Sequence, residues 1–453
     1  MRARLASAWD NALDSLWFIP AVLVLAAVVL SSALLYVDDA LAPDVGARVE
    51  LLFGGTAGAA CGLLSTIAGS LITVISVAFS ITLVALQQAS SQYSPRVLRN
   101  FTKDRGNQVV LGTYLATFVY ALLVMRQIRE ATGDQAEVVP ALSITMAVAL
   151  ALVSIGMLVY YIDHISGSLQ VSNILAAIGD ELRVEIDNLF PSRFGRGSQE
   201  PPDVATLLAR LTEGRRGYEA VVRSEGAGYL RRIDYGQLEK STPGGTHLAW
   251  VAPYVGEYIH PRGELARLWS SGPLDDESLA GMRGCFVLDK SRTIHQDPLF
   301  GITQLVDIAV KALSPGVNDP TTAEQSLSAL GDAVSQLAGR EFPSPLRLSD
   351  AGTPYLFSRP SFSDFVDASF SQIRRAAKDD VHVTLHLLGI LEEVAWRVPG
   401  PERAAPLRVQ VEEVLAALQS VGFTAYDQQQ IRHKAGRALA ALRQARDRSD
   451  RAV

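Results

Sequence analysis

The chain has 453 residues, 48% of them hydrophobic, and its 41 Lys and Arg stand against 47 Asp and Glu for a net charge of -6. That length accommodates roughly two to four domains of about 100–200 residues. The modest charge and the lack of a long basic run exclude nucleic acid as an expected partner, and Cys61 and Cys285 alone make no disulfide framework.

The apolar residues crowd the first third of the chain. Four blocks, Trp17 to Val37, Ala57 to Leu86, Val109 to Met125 and Ala141 to Ile162, each come close to the roughly 20 residues that cross a hydrocarbon core. They predict four transmembrane helices. The first block also has the parts of a signal peptide, with Arg2 and Arg4 before it and Ala40-Leu41-Ala42 after it. It exceeds a signal core of about 7–15 residues, and Asp38 and Asp39 crowd the cleavage position, so it is read as a span.

Lys and Arg set the expected orientation. Arg2 and Arg4 precede the first span and Arg96, Arg99, Lys103 and Arg105 follow the second, whereas the first connection holds only Arg48 among Asp38, Asp39, Asp44 and Glu50. This bias places both termini and the 87–108 connection in the cytoplasm; Arg126 and Arg129 weaken it at the third connection.

No Asp, Glu, Lys, Arg or His occurs between Glu50 and Arg96, around the second span. A helix from Ala57 to Gln88 is about 48 Å long at 1.5 Å per residue, so it tilts or projects beyond the lipid. Ser70, Thr73, Ser76 and Ser80 fall within an arc of about 120°, with Thr66 and Gly69 on or beside it. Small residues and hydroxyls let helices pack closely in lipid. The same surface can also line a wet path in which hydroxyls replace part of an ion's hydration. The stretch QQASSQYSPR then breaks at Pro95, and Arg96, Arg99, Lys103 and Arg105 form a basic collar at the inner mouth. Such a collar either anchors to anionic lipid or concentrates anions at a pore.

Residues 161–192 read as a continuing amphipathic helix through Ile165, Leu169, Ile174, Leu175, Ile178 and Leu182, and Gly195 to Pro202 as a linker. From about Tyr218 the pattern changes to short strands, YEAVVRS, GYLRRID, THLAWVAP, EYIHP and GCFVLD, separated by glycine-rich turns. GYLRRIDYGQLEK followed by VGEYIHPRGELARLW resembles the paired elements of the biotinyl and lipoyl hammerhead fold. No lysine stands at a hairpin tip in VAPYVGEY, so a carrier role is not implied, and a small β-sandwich or barrel is expected.

Beyond Asp297 helices are expected at about 299–313, 320–338, 361–377, 379–398, 403–421 and 424–447. In SPGVNDPTT, Asn318 or Asp319 caps the next helix, with Pro320, Thr321 and Thr322 in its first turn, where free N–H groups either serve as a cap or hold an anion. His382 and His386 share a helix face without the further ligands that a metal needs. HQDP, at 295–298, reads as a helix entrance. No Walker loop, Ser-His-Asp order, dinucleotide fingerprint or C-x-x-C occurs. No catalytic activity, cofactor or metal is expected.

With these motifs assembled, the chain resembles a family of predicted bacterial membrane proteins known only as a domain of unknown function. AGSLITVISVAFSITLVALQQASSQYSPRVLRNF, DRGNQVVLGTYLATFVYALLVMR and HQDPLFGITQLVDIAVKALSPGVNDPTTA carry the likeness, which runs from about Leu16 to beyond Leu391. Gln87 and Gln88 depart from the smaller or apolar residues of the family pattern. The resemblance implies a bacterial inner-membrane protein with four amino-terminal spans and a cytosolic tail, and no reaction.

The expected architecture is therefore a four-helix transmembrane bundle (1–163), an amphipathic helix and linker (164–215), a small β domain (216–292) and a cytosolic helical domain (293–453). Two functions follow from it. One is a homo-oligomeric channel for a small ion, with the second span lining the path and the tail forming a vestibule. The other is a membrane-anchored sensor or interaction protein whose cytosolic part binds a ligand or partner.

Overall fold

The computed structural model describes residues 17–41, 53–92, 104–129, 138–168, 170–190, 206, 208–209, 217–350 and 352–450. They fall into two compact units, Met1–Asn173 and Ile174–Val453.

The first unit is built from α1 (Phe18–Leu41), α2 (Ala57–Gln92), α3 (Arg105–Met125) and α4 (Ala141–Ser168). All four are long and apolar enough to cross a membrane. Half of the α3 span is buried within the bundle, against 17% for α1 and 22% for α2 and α4, so α3 is the central helix. Gly112 lets α1 approach it, because a Cβ there would lie 3.0 Å from the Pro20 backbone. The lipid-facing surface of such a bundle must be apolar, and Leu25, Val29, Val84, Leu152 and Val159 are exposed.

Hydroxyls turned inward join the helices. Thr82 Oγ1 and Tyr161 Oη lie 2.8 Å apart, and the tyrosine hydroxyl donates to the Ala78 carbonyl at 2.7 Å. Tyr120 donates to the Ser143 carbonyl at 3.0 Å. Interhelical bonds of this kind average about 0.6 kcal/mol in membranes. Asp38 caps α4: its carboxylate accepts the N–H groups of Leu142 and Ser143 at 3.0 and 2.9 Å and the Ser143 hydroxyl at 2.6 Å.

The amphipathic stretch expected as one helix is two. α4 ends at Ser168 and α5 runs Val171–Leu189. The Gly167 carbonyl accepts the Gln170 N–H at 3.1 Å and the Asn173 side chain at 2.8 Å. A poor helix former at 167 and a side chain that competes for its carbonyl explain the interruption.

The second unit opens with most of α5, whose buried face is Ile174, Leu175, Ile178, Leu182 and Ile186. A β region follows, made of β1 (Tyr218–Arg223), β2 (Gly228–Ile233), β3 (Thr246–Val251), β4 (Tyr258–Ile259), β5 (Glu264–Ser270), β6 (Phe286–Asp289), β7 (Leu346–Leu348) and β8 (Pro354–Phe357). They form two open sheets, β1-β5-β3-β8-β7 and β4-β2-β6, over one shared core that includes Val222, Leu230, Val251, Ala266, Phe286 and Phe357. Neither sheet closes into a barrel. The short helices α6 (Tyr235–Ser241) and α7 (Asp276–Arg283) lie between strands. β7 and β8 come from the stretch expected only to join helices; β8 pairs with β3 in parallel, Ala249 opposite Tyr355.

The remaining helices are α8 (Pro298–Ala312), α9 (Pro320–Ala338), α10 (Phe362–Ala376), α11 (Val381–Ala395), α12 (Pro401–Ala417) and α13 (Ala425–Asp450), each close to its expected position. Local chemistry fixes their starts. Asp297, Asp319 and Asp380 cap α8, α9 and α11, and Ser361 with Asp364 forms a capping box on α10. Leu330, Val334, Leu387 and Leu391 are fully buried between them, each contributing about 1.5–3 kcal/mol.

Candidate functional site

The hydroxyl face of α2 points away from its own bundle. Thr66, Gly69, Ser70, Thr73, Ser76 and Ser80 are all exposed, whereas the buried face is Ala60, Leu64, Ala68, Leu71, Ala78 and Ala85, about 180° around the helix at 100° per residue. Thr66 donates to the Gly62 carbonyl at 2.8 Å, Thr73 to Gly69 at 3.1 Å, Ser76 to Ile72 at 2.8 Å and Ser80 to Ser76 at 2.8 Å. These four hydroxyl protons are satisfied within the helix, and each oxygen keeps acceptor capacity on the outer surface. Packing inside the single-chain bundle therefore does not account for this face. Thr82, in the same stretch, is the hydroxyl that turns inward.

Arg96, Arg99 and Lys103 lie outside the described residues. Arg105 is exposed at the first position of α3, next to a contact that sequence reasoning missed. Asp104 caps α3 through the Gly106 N–H at 2.9 Å, and its other oxygen lies 2.6 Å from His164 Nε2 on α4. The His164 ring stacks on Tyr160 with centroids 5.3 Å apart. The residues are 60 apart in the chain, and no local pattern announces the pair.

In the SPGVNDPTT turn, Asn318 has φ +50° and is exposed, the left-handed conformation that Asn tolerates. Asp319 Oδ1 accepts the Thr322 N–H at 3.1 Å and Oδ2 accepts the Thr322 hydroxyl at 2.6 Å. The capping carboxylate therefore sits where an anion at this helix start would bind. Thr321 is exposed beside it, and Thr322 is buried.

HQDP is the entrance to α8. Asp297 accepts the Phe300 N–H at 3.2 Å and pairs twice with Arg292, at 2.8 and 2.9 Å. Burial pushes its carboxyl up, and Arg292 only partly offsets that. Gly256, at φ +103°, makes the room: a Cβ there would lie 2.4 Å from the Asp297 carboxylate. His295 lies 3.5 Å from Glu185, which also accepts the Gln296 N–H at 2.7 Å. Burial raises the Glu185 carboxyl, but His295, the Gln296 N–H and Asn188 outweigh it and hold it below its ordinary value.

Beside this entrance the second unit forms an open cavity of about 620 Å³. Its wall includes Tyr235, Tyr254, Phe342, Phe357 and Phe362, together with Arg347 and Arg359. Volume and aromatic lining fall in the range of small-molecule sites. The wall combines α5, loops of the β region and the first turns of α8, α10 and α12. No linear motif marks it. Among the described residues no group of three or more His, Cys, Asp and Glu converges as metal ligands; His386 instead meets the Ser328 hydroxyl at 2.9 Å.

Four apolar spans joined to an α+β unit define an integral membrane protein. The chain belongs to the family described as "Predicted membrane protein (DUF2254)", which matches residues 13–393. Uncharacterized proteins of Mycobacterium tuberculosis and Mycobacterium bovis are 33% identical to it over 386 residues, covering 82% of this chain and 70% of each relative. No solved structure gives a significant match.

Proposed function

We propose that the protein is a homo-oligomeric channel of a bacterial inner membrane, with α2 from each subunit lining a path for a small ion. The observation that carries this reading is the hydroxyl face of α2, exposed in the single chain and opposite the helix's packing face. Oxygens along such a face gain nothing from lipid, and assembly around an axis turns them towards water. They can replace part of an ion's hydration without trapping it, because this span carries no fixed charge. In the proposed orientation both termini are cytoplasmic and Arg105, with the preceding basic residues, faces the inner mouth.

Purified protein in planar bilayers under asymmetric salt tests this. Discrete currents that Ser76→Leu and Ser80→Leu abolish or reshape, at unchanged assembly size, are expected. Cysteines at 70, 73, 76 and 80 should react with a membrane-impermeant reagent. Uniform protection of all four refutes the wet path.

The large cavity favours a second reading, a membrane-anchored sensor whose carboxy-terminal unit binds a ligand. It is compatible with the first, the ligand then setting the open state.

A further inference from the structure

Arg359 is the anomaly in the cavity wall. Its guanidinium is partly buried and sits over the Phe357 ring, 5.7 Å from the centroid. A guanidinium carries five N–H donors, yet among the described residues neither a carboxylate nor any other hydrogen-bond acceptor meets it. Burial pulls its pKa down; Tyr235 partly offsets this, and the like charge of Arg347 adds to it. Other arginines in this unit are matched: Arg292 by Asp297, Arg340 by Asp187, Arg374 by Glu413. A partly buried cation without a partner costs stability, and such groups are usually paired.

Arg347 is a second positive group in the same wall. The first turn of α10 brings Phe362 and Ser363 to it, where the Asp364 carboxylate of the capping box is held by the Ser361 N–H and hydroxyl. The acidic groups of the wall do not answer Arg359. Asp297 is bound by Arg292, and Glu402 is exposed on the first turn of α12.

We infer that this cavity binds an organic anion, a carboxylate or phosphate on an apolar or aromatic body, with Arg359 and Arg347 holding the charge and Phe342, Phe357 and Phe362 enclosing the body. The inference rests on the reading that the carboxy-terminal unit binds a ligand and is independent of whether α2 lines a pore. The anion supplies the acceptors that Arg359 lacks, through charge-assisted bonds that a guanidinium makes in pairs.

The test uses the full chain in nanodiscs of neutral lipid, titrated calorimetrically with phenyl phosphate and, as its neutral counterpart, phenol. Phenyl phosphate should bind at least tenfold more tightly than phenol, and Arg359→Gln should remove that preference. In the ligand-free protein Arg359→Met should keep or raise the hydrogen-exchange protection of peptides covering β8 and the start of α10, because it removes an unpaired charge from a site held for binding; a structural arginine would give a loss. Displacement of phenyl phosphate by dioctanoyl phosphatidic acid marks a lipid source, and displacement by a nucleoside monophosphate a soluble one; both support the inference. Equal affinity for phenol, or unchanged phenyl phosphate binding in Arg359→Gln, overturns the anion assignment alone. Binding of neither probe overturns the ligand reading with it.

Discussion

Asp297 joins three features of the second unit, and its replacement has a calculable consequence. It caps α8 through Phe300, pairs twice with Arg292 and occupies the space that Gly256 leaves. Its side chain is 2% exposed and that of Arg292 21%. Asp297→Asn keeps an oxygen for the cap but leaves the guanidinium charge unanswered. Breaking a buried pair costs about 3–5 kcal/mol. Arg292 retains some water and lies over the Phe300 ring, 5.2 Å from the centroid, so the lower limit, about 3 kcal/mol, is expected. Adding Arg292→Met removes the stranded charge and should restore about 2 kcal/mol of it. Two compact units do not share one two-state unfolding free energy, so the assay is amide hydrogen exchange of peptides covering α8 in the detergent-solubilised full chain. About 3 kcal/mol corresponds to exchange roughly 150-fold faster in Asp297→Asn, and the double variant should return to within about tenfold of the parent. If the double variant exchanges as fast as the product of the two single effects, the residues are uncoupled and the reasoning fails.

Two further outcomes are expected. Asp319→Ala removes both bonds to Thr322 and should destabilise the start of α9 by about 1 kcal/mol, roughly a fivefold rise in local exchange, while leaving phenyl phosphate affinity unchanged; a fall in that affinity would make the turn part of the binding site. Glu185 has a lowered pKa, so its contribution to stability is complete above its unfolded value and disappears as pH falls through its folded value. The hydrogen-exchange protection factors of peptides covering α5 should therefore fall more steeply in the parent chain than in Glu185→Gln as pH drops below about 4.5; parallel curves would show that the carboxylate contributes nothing.

The sequence by itself determined the four spans and the helix starts of the second unit. A membrane crossing needs only length and apolarity in one continuous segment, and Asp297, Asp319 and Ser361 act on N–H groups within three residues of themselves. The periodicity of α2 likewise placed its six small and hydroxyl residues on one side. Which side faces the bundle depended on where Ala60, Ala68 and Ala78 find partners on other helices, and that only the tertiary structure decided. The same holds for β8, whose parallel register rests on β3, far away in the chain. The Asp104–His164 contact and the Arg359 cavity are further cases. Their members are scattered along the sequence, and the burial that leaves Arg359 without an acceptor exists only once α5, the sheet loops and the starts of three helices have packed around it.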